Sequence, residues 1–119
     1  MRQEEIPSPA LRSGPGADAL VIDRLVNEIL ERYAALSEQL ADPAVFAQQG
    51  RFAELSKAHS DLEPAYRLAA EYASARAAAL DADALLDEGG LDSEMKEFIV
   101  AEKAGAREAM ARLEEAIRL

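Results

Sequence analysis

Large apolar side chains recur every three or four residues through three long stretches of the chain, and breaker residues fall between the stretches. The first stretch carries Ile22, Leu25, Ile29, Tyr33, Leu36 and Leu40. That spacing places one side chain per turn on a single stripe of an α-helix, whereas a half-buried strand needs strict alternation. Composition points the same way. Alanine fills 26 positions, Val and Ile together fill nine, and Thr is absent. Alanine is the best helix former, and strands favour β-branched and aromatic residues. The pattern therefore predicts an all-α fold: an elongated antiparallel bundle or hairpin of three main helices, with short helices at the corners.

Breakers and caps set the expected boundaries. Residues 1–17 hold Pro7, Pro9, Pro15, Gly14 and Gly16 and lack apolar periodicity, so they read as a disordered N-terminal tail. A helical domain is expected over 18–119, its first helix capped by Asp18 and ending near Ala41. Glu28–Arg32 is expected as a pair on its outer face. Asp42-Pro43 predicts a short helical turn, because Pro suits the first helical position, with Val45 and Phe46 tucked under the corner. Gly50 is expected as a left-handed stop.

The second helix is expected from Arg51 to Leu80, with the stripe Phe52, Leu55, His59, Leu62, Tyr66, Ala69, Ala73 and Leu80 and with Leu68 and Tyr72 on its flank. Pro64 should kink it or split it at Glu63. Asp81 to Gly90 reads as a connector with a Gly89-Gly90 hinge. Asp92 or Ser93 should cap a third helix carrying Met95, Phe98, Ile99, Ala106, Met110, Leu113 and Ile117, with Glu108–Arg112 and Glu114–Arg118 outside. The periodic pattern is still running at Leu119, as expected of a fragment of a longer protein.

The formal net charge is −10, from 23 acidic and 13 basic residues. Phosphate binding needs clustered Lys and Arg, so direct nucleic-acid binding is not expected. A basic protein is the better electrostatic match. Cysteine is absent, which excludes disulfides and thiolate chemistry. No run approaches the ~20 apolar residues of a membrane span, and the opening residues, with Glu4 and Glu5 and no apolar run, are not expected to be a secretory signal. A cytoplasmic location is expected.

No residue is singled out as catalytic, cofactor-binding or metal-ligating. His59 is the only histidine. It lacks the second ligand that a metal site needs and reads as a helix-face residue with a local hydrogen bond. Acidic neighbours such as Asp87-Glu88 point in different directions on a helix and form no catalytic pair. Gly14-Pro-Gly16 and Gly89-Gly90 lack the spacing of phosphate-binding loops and read as turns. The aromatics fall at helical spacing and read as core, with tyrosine hydroxyls at the rim. The partner-binding residues are unknown from sequence; Arg51, Lys57 and Arg67 are exposed candidates.

Several short patterns stand in a definite order: Arg32-Tyr33 with Leu36 and Leu40, then Asp42-Pro43-x-Val45, then Arg51-Phe52-x-x-Leu55-Ser56-Lys57. Leu62-x-Pro64 and Tyr72 follow, then Leu85-Leu86 and Asp92-x-Glu94-Met95. In order and spacing, from about Leu20 to Leu119, they resemble the N-terminal helical domain of the bacterial class I peptide chain release factors, closer to the type-1 than the type-2 branch. The first 17 residues have no counterpart in it, and Ala replaces many charged residues of the second helix.

The resemblance implies an accessory domain of a translation termination factor. It implies docking on the ribosome through protein contacts at the large-subunit stalk base, and packing beside the remaining release-factor domains. The family's Pro-x-Thr codon-reading and Gly-Gly-Gln hydrolytic tripeptides do not occur in these 119 residues. Gly89-Gly90 is followed by Leu91. The segment is therefore expected not to be an enzyme. The alternative is a stand-alone acidic helical or coiled-coil adaptor.

Overall fold

The structure, a computed structural model, describes residues 15–118, with side chains from Leu20 onward. Four helices follow one another: α1 Pro15–Leu40, α2 Pro43–Phe46, α3 Gln49–Glu88 and α4 Ser93–Arg118. No strand occurs among the described residues. The all-α fold expected from the periodicity is present. The expected tail lies outside the described residues as far as residue 14, and α1 begins at Pro15, three residues before Asp18.

The Asp42-Pro43 corner forms as its chemistry dictates. Asp42 adopts an extended backbone, and its Oδ1 accepts a hydrogen bond from Ala44 N at 2.9 Å. Pro43 occupies the first helical position, where its missing N–H costs nothing. Val45 is buried under the corner. Phe46 corrects the expectation: it is 67% exposed. Its ring meets Phe52 edge-on, 5.1 Å between centroids.

Helix α3 overturns three boundary expectations. It runs for 40 residues without a break. Gly50 is not a stop, because it lies within the first turn and only Gly89 and Gly90 have positive φ among the described residues. Pro64 does not split the helix. Pro64 and Ser60, whose carbonyl loses its helical partner, are both exposed. Water can take the freed carbonyl, so the cost of proline falls on the wet side. The expected connector from Asp81 is helical as far as Glu88. The segment Asp81 to Glu88 contains no breaker, and Ala82 is buried. The helix ends at Gly89, with φ 77° and ψ −167°, a region that only glycine enters readily.

Helices α1 and α4 both run antiparallel to α3, but against different parts of it. Along α1, Asp23 meets Arg76, Tyr33 meets Tyr66 and Ser37 meets His59. On the other side, Leu113 packs with Tyr72 and Ala69, and Lys103 pairs with Asp83. The three helices share one core, Ile22, Val26, Ala69, Tyr72 and Leu113, near the middle of α3. Beyond that crossing each end of the molecule is a two-helix arm. The radius of gyration is 20.0 Å and the longest extent 58 Å. A compact domain of this length has a radius near ~13–14 Å. The expected elongation is present, and a 40-residue helix of about 60 Å accounts for the long axis.

Candidate functional site

Tyr72 is the largest fully buried side chain, at 2% exposure. A single stripe along α3 puts Tyr72 on a flank, with Leu80 on the core face. Leu80 is in fact 61% exposed. One helix serving two partners needs two stripes. Leu55, Leu62 and Tyr66 lie on the part of α3 that faces α1, whereas Tyr72, Ala79 and Ala82 carry the buried face onward toward α4.

Tyr72 is also the centre of a polar knot. Arg76 donates to Asp23 Oδ1 at 2.9 Å, a partly buried pair that ties α3 to α1. The Arg76 guanidinium lies 5.9 Å from the centroid of the Tyr72 ring, within cation–π range. The Tyr72 side chain thus lies beside the Asp23–Arg76 pair. Burial raises the Tyr72 pKa above its ordinary value of 10.0, and the nearby charges of Asp23 and Glu114 add to this, against a lowering by Arg76. The shift favours the neutral phenol. For Tyr72 burial corrects the expectation of a tyrosine rim, whereas Tyr33 and Tyr66 are half-buried.

A second tie joins α3 to α4. Asp83 binds Lys103, and Arg107 stands 3.9 Å away. The hydrogen bond from Lys103, reinforced by the charges of both cations, lowers the Asp83 pKa below 3.8.

His59 is not held locally. Its Nε2 is hydrogen bonded to Ser37 Oγ at 2.9 Å, across from α3 to α1. Its ring stacks on Tyr33 at 4.2 Å, and Tyr33 stacks on Tyr66 at 3.9 Å. A serine beside a histidine is half of a nucleophile–base pair. Here both residues sit inside helices, where backbone N–H groups are spent on the helical ladder and offer no oxyanion donors. The pair works as a clasp between α1 and α3.

The surface hollows are open to solvent. One, of about 470 Å3, runs between α3 and α4 over Ala75, Ala78, Gly105 and Ala109, with Glu71 and Arg112 at its edge. Among the described residues no group of three His, Asp or Glu side chains is placed to hold a metal ion. No described helix is long and apolar enough to cross a membrane.

The three basic docking candidates fare differently. Lys57 is engaged by Asp61 at 3.0 Å and Arg67 by Glu63 at 3.1 Å, whereas Arg51 is exposed without an ion-pair partner among the described residues. Of the expected outer pairs on α1 and α4, Glu114–Arg118 forms at 3.0 Å. Glu28–Arg32 and Glu108–Arg112 do not pair among the described residues. Asp92, of the two possible caps, closes α4 by accepting from Met95 N at 2.8 Å.

The architecture defines a class: an all-α assembly of long helices held by the interhelical polar ties Asp23–Arg76, Ser37–His59 and Asp83–Lys103. The PCRF domain family matches residues 29–119, and the chain belongs to it. Peptide chain release factor 1 of Lactococcus lactis subsp. cremoris (strain MG1363) is 37% identical over 94 residues, covering 79% of this chain and 26% of that protein. Peptide chain release factor 1 of Bacillus cytotoxicus is 37% identical over 82 residues, covering 69% of this chain and 22% of that protein. The factor of the same name from Bacillus anthracis is 35% identical over the same length. The chain thus spans about a quarter of the length of these curated relatives. No solved structure matches it.

Proposed function

We propose that residues 18–119 are the N-terminal helical domain of a cytoplasmic translation termination factor of the type-1 class. In this reading the domain docks through protein contacts, on the stalk-base proteins of the large ribosomal subunit and beside the remaining release-factor domains. Stop-codon reading and peptidyl-tRNA hydrolysis belong to those other domains. The single observation that carries the reading is the family match from residue 29 to 119. The geometry supports it: Ser37, His59, Tyr72 and Asp83, the residues with chemical potential, are engaged in tying helices together.

A chimera tests it. Residues 18–119 replace the matching segment of the Lactococcus lactis factor, and stop-codon-dependent peptide release is measured on purified ribosomes. Release at a rate within a few-fold of the parent factor is expected, with none from residues 18–119 alone. A folded, ribosome-binding chimera without release activity would overturn the reading. Co-sedimentation of the chain with ribosomes that contain or lack the stalk-base proteins tests the docking site separately.

A further inference from the structure

The arm formed by the end of α3 and the start of α4 shows large apolar side chains to solvent. Met95 and Phe98, one turn apart on α4, are 48% and 59% exposed. They line a surface hollow with Asp92 and Glu94. Leu85, in the last turns of α3, is 42% exposed. Helix α1 reaches none of them, because it packs against the earlier part of α3. Side chains of this size usually find cover, and several close together mark an interaction surface.

Charge specifies what covers them. Asp81, Asp87, Glu88, Asp92, Glu94 and Glu97 are all exposed around this corner, and none has an ion-pair partner among the described residues. Lys96 is the one basic residue between 81 and 97. The other acid of the segment, Asp83, is engaged by Lys103. An apolar patch rimmed by carboxylates without ion-pair partners among the described residues is complementary to a helix with one apolar and one basic face. It repels nucleic acid and anionic lipid, and it disfavours a second copy of itself.

We propose that the α3–α4 corner is a docking surface for a basic amphipathic helix of a partner protein, with Met95 and Phe98 as its apolar anchors. The proposal deepens the reading of the chain as a protein-docking domain and rests on it. The two fail separately: loss of release by the chimera leaves peptide binding intact, and loss of peptide binding leaves ribosome docking through another face standing.

The test uses the whole chain, labelled for NMR. The probe is a synthetic five-turn helix of leucine and lysine with one apolar face; its control has the same composition scrambled so that no apolar face forms. Saturable binding is expected, with shifts confined to residues 81–102, weakened by added salt. The double substitution M95A/F98A should weaken binding about tenfold or more while the melting temperature stays unchanged, since both side chains are exposed. The substitutions E94Q and E97Q should weaken it on their own. Equal binding of the scrambled peptide, shifts centred elsewhere, or no effect of either set of substitutions would overturn the proposal. So would concentration-dependent self-association through Met95 and Phe98, which would assign the face to a second copy.

Discussion

The crossing near the middle of α3 and the arm at its C-terminal end are built from the same helix but bury very different material. At the crossing, three helices close over Ile22, Val26, Tyr72 and Leu113. In the α3–α4 arm the buried residues are alanines, Ala79 and Ala82, while Leu85, Met95 and Phe98 face outward. Apolar burial contributes roughly 25 cal/mol per Å2, so the stability of the molecule is concentrated where the third helix arrives. The α1–α3 arm lies between these extremes, with buried Leu36 and Val45 and the His59–Tyr33–Tyr66 stack. Helix length therefore sets the reach of this molecule, and helix stagger sets where it is firm.

Substitutions can break or sharpen that contrast. Tyr72→Ala should have the largest effect, a loss of about 3–5 kcal/mol. It removes the largest buried ring and leaves Asp23 and Arg76 without their third partner. Urea denaturation measures it; a loss below 1 kcal/mol would mean that the crossing does not dominate stability. Gly89→Ala should cost about 1–3 kcal/mol, because φ 77° with ψ −167° is a glycine region. Nothing lies within 4 Å of the added methyl, so the penalty is conformational and confined to the hinge. A melt unchanged by that substitution would show that the α3–α4 turn relaxes freely.

Asp83→Asn should lower the melting temperature by less, and in a pH-dependent way. The folded Asp83 carboxyl titrates below its ordinary value, held there by Lys103. Its stabilisation is present above the unfolded-state pKa and is lost as pH falls through the lower folded one. The gap between parent and variant should be open at neutral pH and close under acid. A gap that widens in acid would contradict the assigned tie. Phe98→Ala should have the smallest effect, within about 0.5 kcal/mol, as for an exposed residue without structural duty. A larger loss would move Phe98 into the core and remove it from the docking face.

Much of this was legible in the chain. The stripe from Ile22 to Leu36 named the α1 face that is buried or half-buried. The Asp42-Pro43 corner and the Asp92 cap follow from side-chain chemistry that acts within four residues. Errors arose where tertiary context decides. A single stripe along α3 does not fit, because a staggered pair of partners calls for a face that changes along the helix, so Tyr72 and Leu80 exchange places. Pro64 does not split the helix because its cost depends on which side of the helix it faces, and sequence alone does not give the side. Gly50 is no stop because it falls in the first turn of α3 and lacks a positive φ. The Ser37–His59 contact joins residues 22 apart in the chain, and no local signal announces it.

Native-state amide hydrogen exchange, read residue by residue, addresses the stagger most directly. Protection should peak in residues 22–30, 66–76 and 109–117, where the three helices meet, and fall steadily toward residues 85–98. Uniform protection along α3, or a maximum at the Gly89-Gly90 end, would contradict a brace that is firm at its crossing and soft at its far arm.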